Sequence, residues 1–379
     1  MTQRTMVVPF LDLGRQTRAL REEIDGALGE VLDSGRFVGG PPVERFEEAF
    51  AEFCGAAHAV GVASGTDAIA LALRAVGAGP GTEVVTAAGT CVPTVAAIEQ
   101  AGATPVLVDV GPVSRTLDPA AIEAVLTPRT RAVLPVHLYG QSADMGPILG
   151  VARARGLAVV EDAAQAHGAS YRGRRAGVLG DAGAFSFYPT KNLGGLGDAG
   201  AVVTDDPRVA ERVRRLAQYG EAERYRSVVS GTNSRLDALQ AAILLVKLPH
   251  LGGWIARRRD LARGYLEGLA GLGIGLPAGI EGPESACHLF VVRVAERERF
   301  RAALAERGVE TLVHYPRPIH RHPAYTTLAR DPGDLRESER LAEEAVSLPL
   351  FPELTDGEAE AVIGAVRAVV PALTSGGRT

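Results

Sequence analysis

Lysine is almost absent from this 379-residue chain: of 40 lysine and arginine side chains only Lys191 and Lys247 are lysine, and every other one is arginine. Arginine can serve wherever a surface cation is wanted, but its guanidinium stays protonated and cannot replace an amine that must lose its proton and attack a carbonyl. Cysteine is nearly as sparse. Cys54, Cys91 and Cys287 lie far apart with no CxxC spacing, which excludes a disulfide framework, offers no thiolate metal site and suits a reducing cytoplasm. No basic block exists beyond Arg257-Arg258-Arg259 and the formal charge is −5. That balance argues against nucleic acid as a partner, and the triplet reads as a solvated helix face. No run approaches the ~18 consecutive apolar residues of a spanning helix, and residues 1–9 (MTQRTMVVP) lack a signal-peptide core. The expectation is a soluble cytoplasmic protein with no membrane partner.

What is present is a large core. Hydrophobic residues make up 46% of the chain and charged ones 22%, with 45 glycines and only 5% aromatics, which suits closely packed helix–sheet layers. Residues 10–60 carry helical periodicity, with Ile24, Leu28, Val31 and Leu32 followed, after Gly39-Gly40-Pro41-Pro42, by Val43, Phe46, Phe50 and Phe53. From His58 onward short β-branched runs (59–63, 83–86, 105–110, 132–136, 157–161) alternate with helical stretches (67–76, 94–101, 119–126, 145–154). This rhythm predicts an α/β fold whose mostly parallel sheet is covered on both faces. Strands 182–188 and 199–204, then helices 207–218 and 234–247, complete a large domain over residues 1–250. Residues 251–379 read as a smaller α+β domain, with strands near 288–294 and 310–313.

The chemistry is expected around Lys191, in the segment Phe185-Ser186-Phe187-Tyr188-Pro189-Thr190-Lys191-Asn192-Leu193-Gly194-Gly195. A primary amine between an apolar strand and a glycine-rich turn suggests a Schiff-base lysine. Asp162 stands at the carboxyl end of a strand, where ligands gather in open α/β sheets. A carboxylate there can pair with a pyridinium nitrogen, as a pyridoxal phosphate site requires. Gln165 could donate to the ring's phenolate oxygen. Ser64-Gly65-Thr66-Asp67 ends a strand and opens a helix, whose free N–H groups can bind a phosphate. Ser186 and Tyr188 share one face of an extended strand and the phenylalanines the other, so Ser186 and Lys191 can flank one cofactor. Lys247, near a helix end, reads as an ordinary helix-terminal cation.

These motifs, with residues 10–13 (FLDL), 34–41 (SGRFVGGP), 135–141 (PVHLYGQ), 161–168 (EDAAQAHG) and 314–316 (HYP), resemble the pyridoxal phosphate-dependent sugar aminotransferases of the DegT/DnrJ/StrS type, nearly end to end. The resemblance implies a fold type I enzyme in which Lys191 forms the imine with the cofactor, Asp162 partners the pyridine nitrogen and Gln165 the ring oxygen. Gly65, Thr66 and Ser186 would hold the phosphate, and Asn233 would reach the cofactor of a neighbouring subunit in a homodimer. In many relatives an aromatic ring stacks on the cofactor where this chain has Cys91, so either the thiol fills that space or another residue stacks.

The resemblance further implies a two-stage transamination through pyridoxamine phosphate. An amino-acid donor, expected to be glutamate, first loads the cofactor, which then aminates a nucleotide-linked keto-deoxysugar. The form of residues 136–141 looks most like enzymes acting at C3 of a dTDP-3-keto-6-deoxyhexose in antibiotic biosynthesis. Relatives acting at C4 or on cyclitols such as scyllo-inosose share most of the same residues. Tyr188, Tyr315, His320 and Arg235 are candidate substrate contacts, and no metal is expected. A same-fold dehydratase would lack Lys191, and a cofactor-free regulatory protein would be expected to lose Lys191, Asp162 or the phosphate cup.

Overall fold

The computed structural model describes residues 7–328 and 335–375, the side chains of residues 374 and 375 excepted. Its strands, in chain order, are β1 (His58–Val62), β2 (Glu83–Ala87), β3 (Thr104–Val108), β4 (Thr130–Leu134), β5 (Ala158–Asp162), β6 (Ser170–Tyr171), β7 (Arg174–Arg175), β8 (Ala182–Ser186), β9 (Gly200–Thr204), β10 (Glu221–Glu223), β11 (Arg226–Ser227), β12 (Phe290–Arg293) and β13 (Ala345–Leu348). Seven of them form one sheet in the order β1-β9-β8-β5-β4-β2-β3, and the rest pair as three two-stranded ribbons. Neighbours from β3 through β8 run parallel, whereas β9 is antiparallel to both β8 and β1. The fold is therefore α/β with a mostly parallel sheet.

Burial on both faces explains the composition of these strands. Every residue of β2 and of β9 is buried, which is why they read as continuous apolar runs rather than alternating ones. The helix Gly65–Ala75 lies on one face and is alanine-rich where it meets the sheet; small side chains let its backbone approach closely. On the opposite face Phe46 and Phe50 stand edge-on to Phe187, with ring centroids 5.2 and 5.0 Å apart. A separate core gathers Tyr265, Phe290, Phe300 and Phe351 of the C-terminal part, and Val8 from the N-terminus joins it.

Several expected elements change on folding. Residues 310–313 form no strand; Val309 bridges Val8 and Leu312 bridges Ser347, so the segment is shared between two partners instead of laddering with one. The helix expected from residue 234 starts at Ala238, because Asn233 and Asp237 are held in extended bridges to Gln218 and Val38. Residues 119–126 contain only a 3₁₀ turn and a four-residue helix. The run Ala238–Leu269 has the length and the mean hydropathy, 1.3, of a membrane span. It is divided by a turn at Leu248–His250, and half of its apolar window is buried in the fold.

The arginine triplet is not a solvated face. Arg258 is buried, donates to the carbonyls of Cys287, His288 and Leu350, and is pushed down to about 10 by burial. Arg257 donates to the Leu354 carbonyl and Arg259 to those of Ser285 and Pro283. A guanidinium carries five N–H donors, so these side chains staple loops whose carbonyls no ladder satisfies.

Candidate active site

The carboxyl ends of β1, β5 and β8 converge, and register explains why. Val62 of β1 and Ser186 of β8 both stand opposite Gly200 of β9, so the chain leaving β1 passes beside Ser186. A side chain at Gly200 would put its Cβ 2.3 Å from the Ser64 carbonyl, and one at Gly65 would put it 2.5 Å from the Ser186 Cβ. Both contacts are forbidden, so glycine is required at each place. Ser64 caps the helix Gly65–Ala75 by accepting from the Asp67 N–H at 3.1 Å. The N–H groups of Gly65 and Thr66, in the first turn, have no intrahelical acceptor, and Gly65 lies against Ser186. Such a corner fits a phosphate.

Two side chains are tied back from this corner. Asp67 accepts from the Ser234 hydroxyl at 2.8 Å, and that hydroxyl in turn accepts from the Ala63 N–H at 3.1 Å. Asn233, next to Ser234, is exposed, as is Arg235.

Asp162 ends β5 and is buried. Its Oδ2 accepts from the Thr94 hydroxyl at 2.9 Å and its Oδ1 from the Ala164 N–H at 3.2 Å. Burial raises its pKa, while these two hydrogen bonds and the Lys191 charge pull it back. Gln165 is oriented in the same way: its Oε1 accepts from the Tyr139 N–H at 2.7 Å, which turns the amide nitrogen toward the Tyr315 hydroxyl at 2.9 Å. One N–H of that amide remains for a ligand.

Lys191 follows β8 by one turn. Phe187 still pairs with Ala199, Pro189 then ends the extended run, and the Lys191 N–H closes a turn on the Tyr188 carbonyl at 2.8 Å. The expected strand thus stops at Ser186. Phe185 and Phe187 are buried while Tyr188 is half exposed. Burial lowers the Lys191 pKa, opposed by the charges of Asp162 and Cys91. A depressed amine pKa increases the neutral, nucleophilic fraction near neutrality. The charges of Asp162 and Lys191 thus favour one another, Asp162 from a buried position and Lys191 from a partly buried one.

Around the amine lies a shell of neutral groups. Cys91, at the start of the helix Val92–Gln100, is partly buried; burial raises its pKa, and the Tyr315 hydroxyl and Lys191 lower it again. Burial holds His167 at about 3 and His314 at about 4, with the Lys191 charge pushing each further down. His288 lies well below its ordinary range for the same two reasons. No residue of this shell supplies a competing cation.

Sequence reasoning missed four supports. Thr94 and Tyr139 orient Asp162 and Gln165. The Tyr139 hydroxyl donates to the His314 carbonyl, linking residues 135–141 to the segment carrying Tyr315. Below Asp162 the buried His137 Nε2 meets Glu161 Oε2 at 2.8 Å, and Nδ1 accepts from the Ala143 N–H. Glu161 also accepts from the N–H groups of Gly177, Leu179 and Gly180. The pair anchors the strand end that presents Asp162. Only the matching motif, and not residue chemistry, could have pointed to these contacts.

Two expected roles look different in the fold. His320 is buried with Nε2 on Glu339 Oε1 at 2.9 Å, so that nitrogen is already engaged. Lys247 is not a solvated helix-end cation: it is 2% exposed, and its Nζ donates to the Gly194 carbonyl at 2.8 Å. Among the described residues no group of three or more histidine, cysteine or acidic side chains could hold a metal ion.

Comparison with known proteins places this geometry. The model of the DegT/DnrJ/EryC1/StrS aminotransferase family matches residues 18–367. A dTDP-3-amino-3,4,6-trideoxy-alpha-D-glucose transaminase of Streptomyces venezuelae is 52% identical over 361 residues, 95% of each chain. A protein of Saccharopolyspora erythraea named erythromycin biosynthesis sensory transduction protein EryC1 is 50% identical, covering 96% of this chain and all of that one. The crystal structure of Streptomyces venezuelae DesV in complex with a ketimine intermediate superposes with a TM-score of 0.93 at 51% identity, over 97% of this chain and 99% of that one. The chain belongs to the DegT/DnrJ/EryC1/StrS aminotransferase family.

Proposed function

We propose that this aminotransferase uses pyridoxal 5′-phosphate to convert a dTDP-3-keto-6-deoxyhexose to the 3-amino sugar, with glutamate as the donor. The observation that carries the reading is the buried Asp162 carboxylate, fixed by the Thr94 hydroxyl and the Ala164 N–H and in the field of the partly buried Lys191 amine, beside the glycine-lined corner at Gly65 and Ser186. The donor set fits the cofactor: free helix N–H groups for its phosphate, a carboxylate for its ring nitrogen and an amine for its aldehyde.

When bound, the cofactor supplies an electron-accepting ring that makes the α-C–H of an amino acid acidic. Gly65 and Thr66 N–H groups and the Ser186 hydroxyl hold the phosphate. Asp162 would accept a hydrogen bond from the ring N–H and keep that nitrogen protonated, and the Thr94 hydroxyl fixes the carboxylate for it. Gln165 offers its remaining N–H to the ring oxygen. Lys191 Nζ would hold the aldehyde carbon and, when free, would act as the general base that takes and returns the donor's α-proton. With the keto sugar in place Lys191 moves the proton in the opposite sense. Burial favours the neutral form of Lys191 that both steps need.

The similarity to a transaminase named for a 3-amino-3,4,6-trideoxyglucose supports C3 as the site of amination. Tyr188, half exposed, and Tyr315 are the candidate substrate contacts; Arg235 is exposed and His320 is engaged by Glu339. We assign the exposed Asn233 to the neighbouring subunit's phosphate in a homodimer. A regulatory role, as the name of the Saccharopolyspora erythraea relative would suggest, leaves the retention of Lys191, Asp162 and the phosphate corner without purpose. Assay of dTDP-linked 3-keto and 4-keto sugars and of scyllo-inosose, each with glutamate, tests the reading. It predicts turnover of the 3-keto sugar in preference, and activity confined to the cyclitol contradicts it.

A further inference from the structure

The turn that carries Lys191 is gripped from one helix. Gln240 and Lys247 of the helix Ala238–Lys247 are seven residues apart, two turns on the same face. Gln240 Oε1 accepts from the Leu196 N–H at 2.8 Å, and Lys247 Nζ donates to the Gly194 carbonyl at 2.8 Å. No backbone N–H among the described residues reaches that carbonyl.

The rest of the turn has little freedom. The Gly195 N–H is held by the Phe187 carbonyl at 2.8 Å, Leu193 is buried in the core with Leu244 and Leu248, and Asn192 bridges the Ala286 carbonyl and His288 Nδ1. Gly194 passes so close to Pro189 that a Cβ would lie 2.3 Å from the Pro189 carbonyl oxygen. The turn that carries Lys191 is thus held at several points, and Lys247 holds the Gly194 carbonyl, to which no backbone N–H among the described residues donates.

Burying a cation is costly, and this cation meets a carbonyl rather than a carboxylate. Burial lowers its pKa to about 8, opposed only by the charge of Glu353. A chain whose basic side chains are arginine at all but two positions has lysine here, as it does at Lys191. A single buried carbonyl acceptor suits the three compact donors of an ammonium on a long stem and not the five-donor fork of a guanidinium.

We propose that Lys247 is a positioning residue for Lys191: by holding the Gly194 carbonyl it sets where the Lys191 amine stands relative to Asp162 and the cofactor aldehyde. The proposal rests on Lys191 as the cofactor-binding amine. Without the Nζ donor the buried Gly194 carbonyl must find another partner or remain unpaired, and the turn shifts. Displacing a proton-transferring group by even an ångström costs roughly a hundredfold in rate.

The scarcity of lysine makes the test direct. Protein labelled with ¹³C-lysine has only two lysine side-chain spin systems, so the Lys191 Cε resonance and its pH titration can be followed without added cofactor. Lys247→Met is predicted to move both. In the cofactor-loaded enzyme it is predicted to lower kcat roughly tenfold to a hundredfold, with KM for the acceptor sugar unchanged. Lys247→Gln, which keeps a donor on a shorter stem, is predicted to fall between. Gln240→Met releases the other end of the grip and is predicted to move the same resonance, which keeps the test available if Lys247→Met does not fold. A Lys191 resonance and titration identical to wild type in the folded variants, with loss of melting temperature alone, would overturn the proposal. Absence of an imine in the wild-type enzyme would instead count against the reading of Lys191, because the resonance comparison needs no cofactor.

Discussion

The Thr94 hydroxyl donates to Asp162 Oδ2 at 2.9 Å in a buried setting, from the first turn of the helix Val92–Gln100 in a different βα unit. It lowers a carboxyl pKa that burial raises, so it helps keep Asp162 ionised as well as oriented. Thr94→Val preserves shape and removes the donor. We expect the Asp162 pKa to rise further and kcat to fall roughly tenfold, the order of about 1.4 kcal/mol for a charge-assisted hydrogen bond. The loss should grow as pH is lowered, because a raised carboxyl pKa leaves less of the ionised form; a pH–rate profile parallel to that of wild type would exclude this role.

Gly65 makes a second, geometric prediction. In Gly65→Ala the new methyl meets the Ser186 Cβ at 2.5 Å, so either the helix start or the strand end must move. Both carry proposed phosphate ligands. Equilibrium titration should show cofactor affinity weakened by more than tenfold, about 1.4 kcal/mol, while the cofactor-free protein loses less stability than a core cavity would cost. Unaltered affinity would remove the phosphate from this corner.

Stability should fall in acid, for a reason specific to the shell around Lys191. His167 and His314 are held at about 3 and about 4, against an ordinary 6.5. The unfolded chain therefore binds protons below about 6.5 that the folded chain refuses, and stability drops as pH falls from there toward 4. His314 alone contributes on the order of 2 kcal/mol, allowing for its partial exposure. Melting temperatures measured from pH 8 to 4.5 should decline through this window, and His314→Gln should flatten part of the decline. A flat wild-type curve would mean that these rings are not neutral for the stated reason.

The alternation of strands and helices was legible because strands buried on both faces do not alternate apolar with polar, and the parallel β2 and the antiparallel β9 are both of that kind. Asp162, Ser186 and Lys191 were legible because strand ends and turns announce themselves locally. What sequence reasoning could not see are groups whose function depends on a distant partner. Arg258 and Lys247 resemble surface cations until the loops they staple are folded over them. His320 looks available until Glu339 occupies it. The extended start at residues 233–237, in place of a helix, is set by bridges to Gln218 and Val38, which no local propensity encodes.

The central claim is that Lys191 carries the cofactor, and two lysines make it unusually simple to test. Purified protein mixed with pyridoxal 5′-phosphate should develop an imine absorbance band; reduction with borohydride followed by peptide mapping should place the fixed adduct on Lys191 and leave Lys247 unmodified. Lys191→Arg should show neither the band nor turnover. An adduct on Lys247, or a Lys191→Arg enzyme that still forms the band and turns over, would contradict the account.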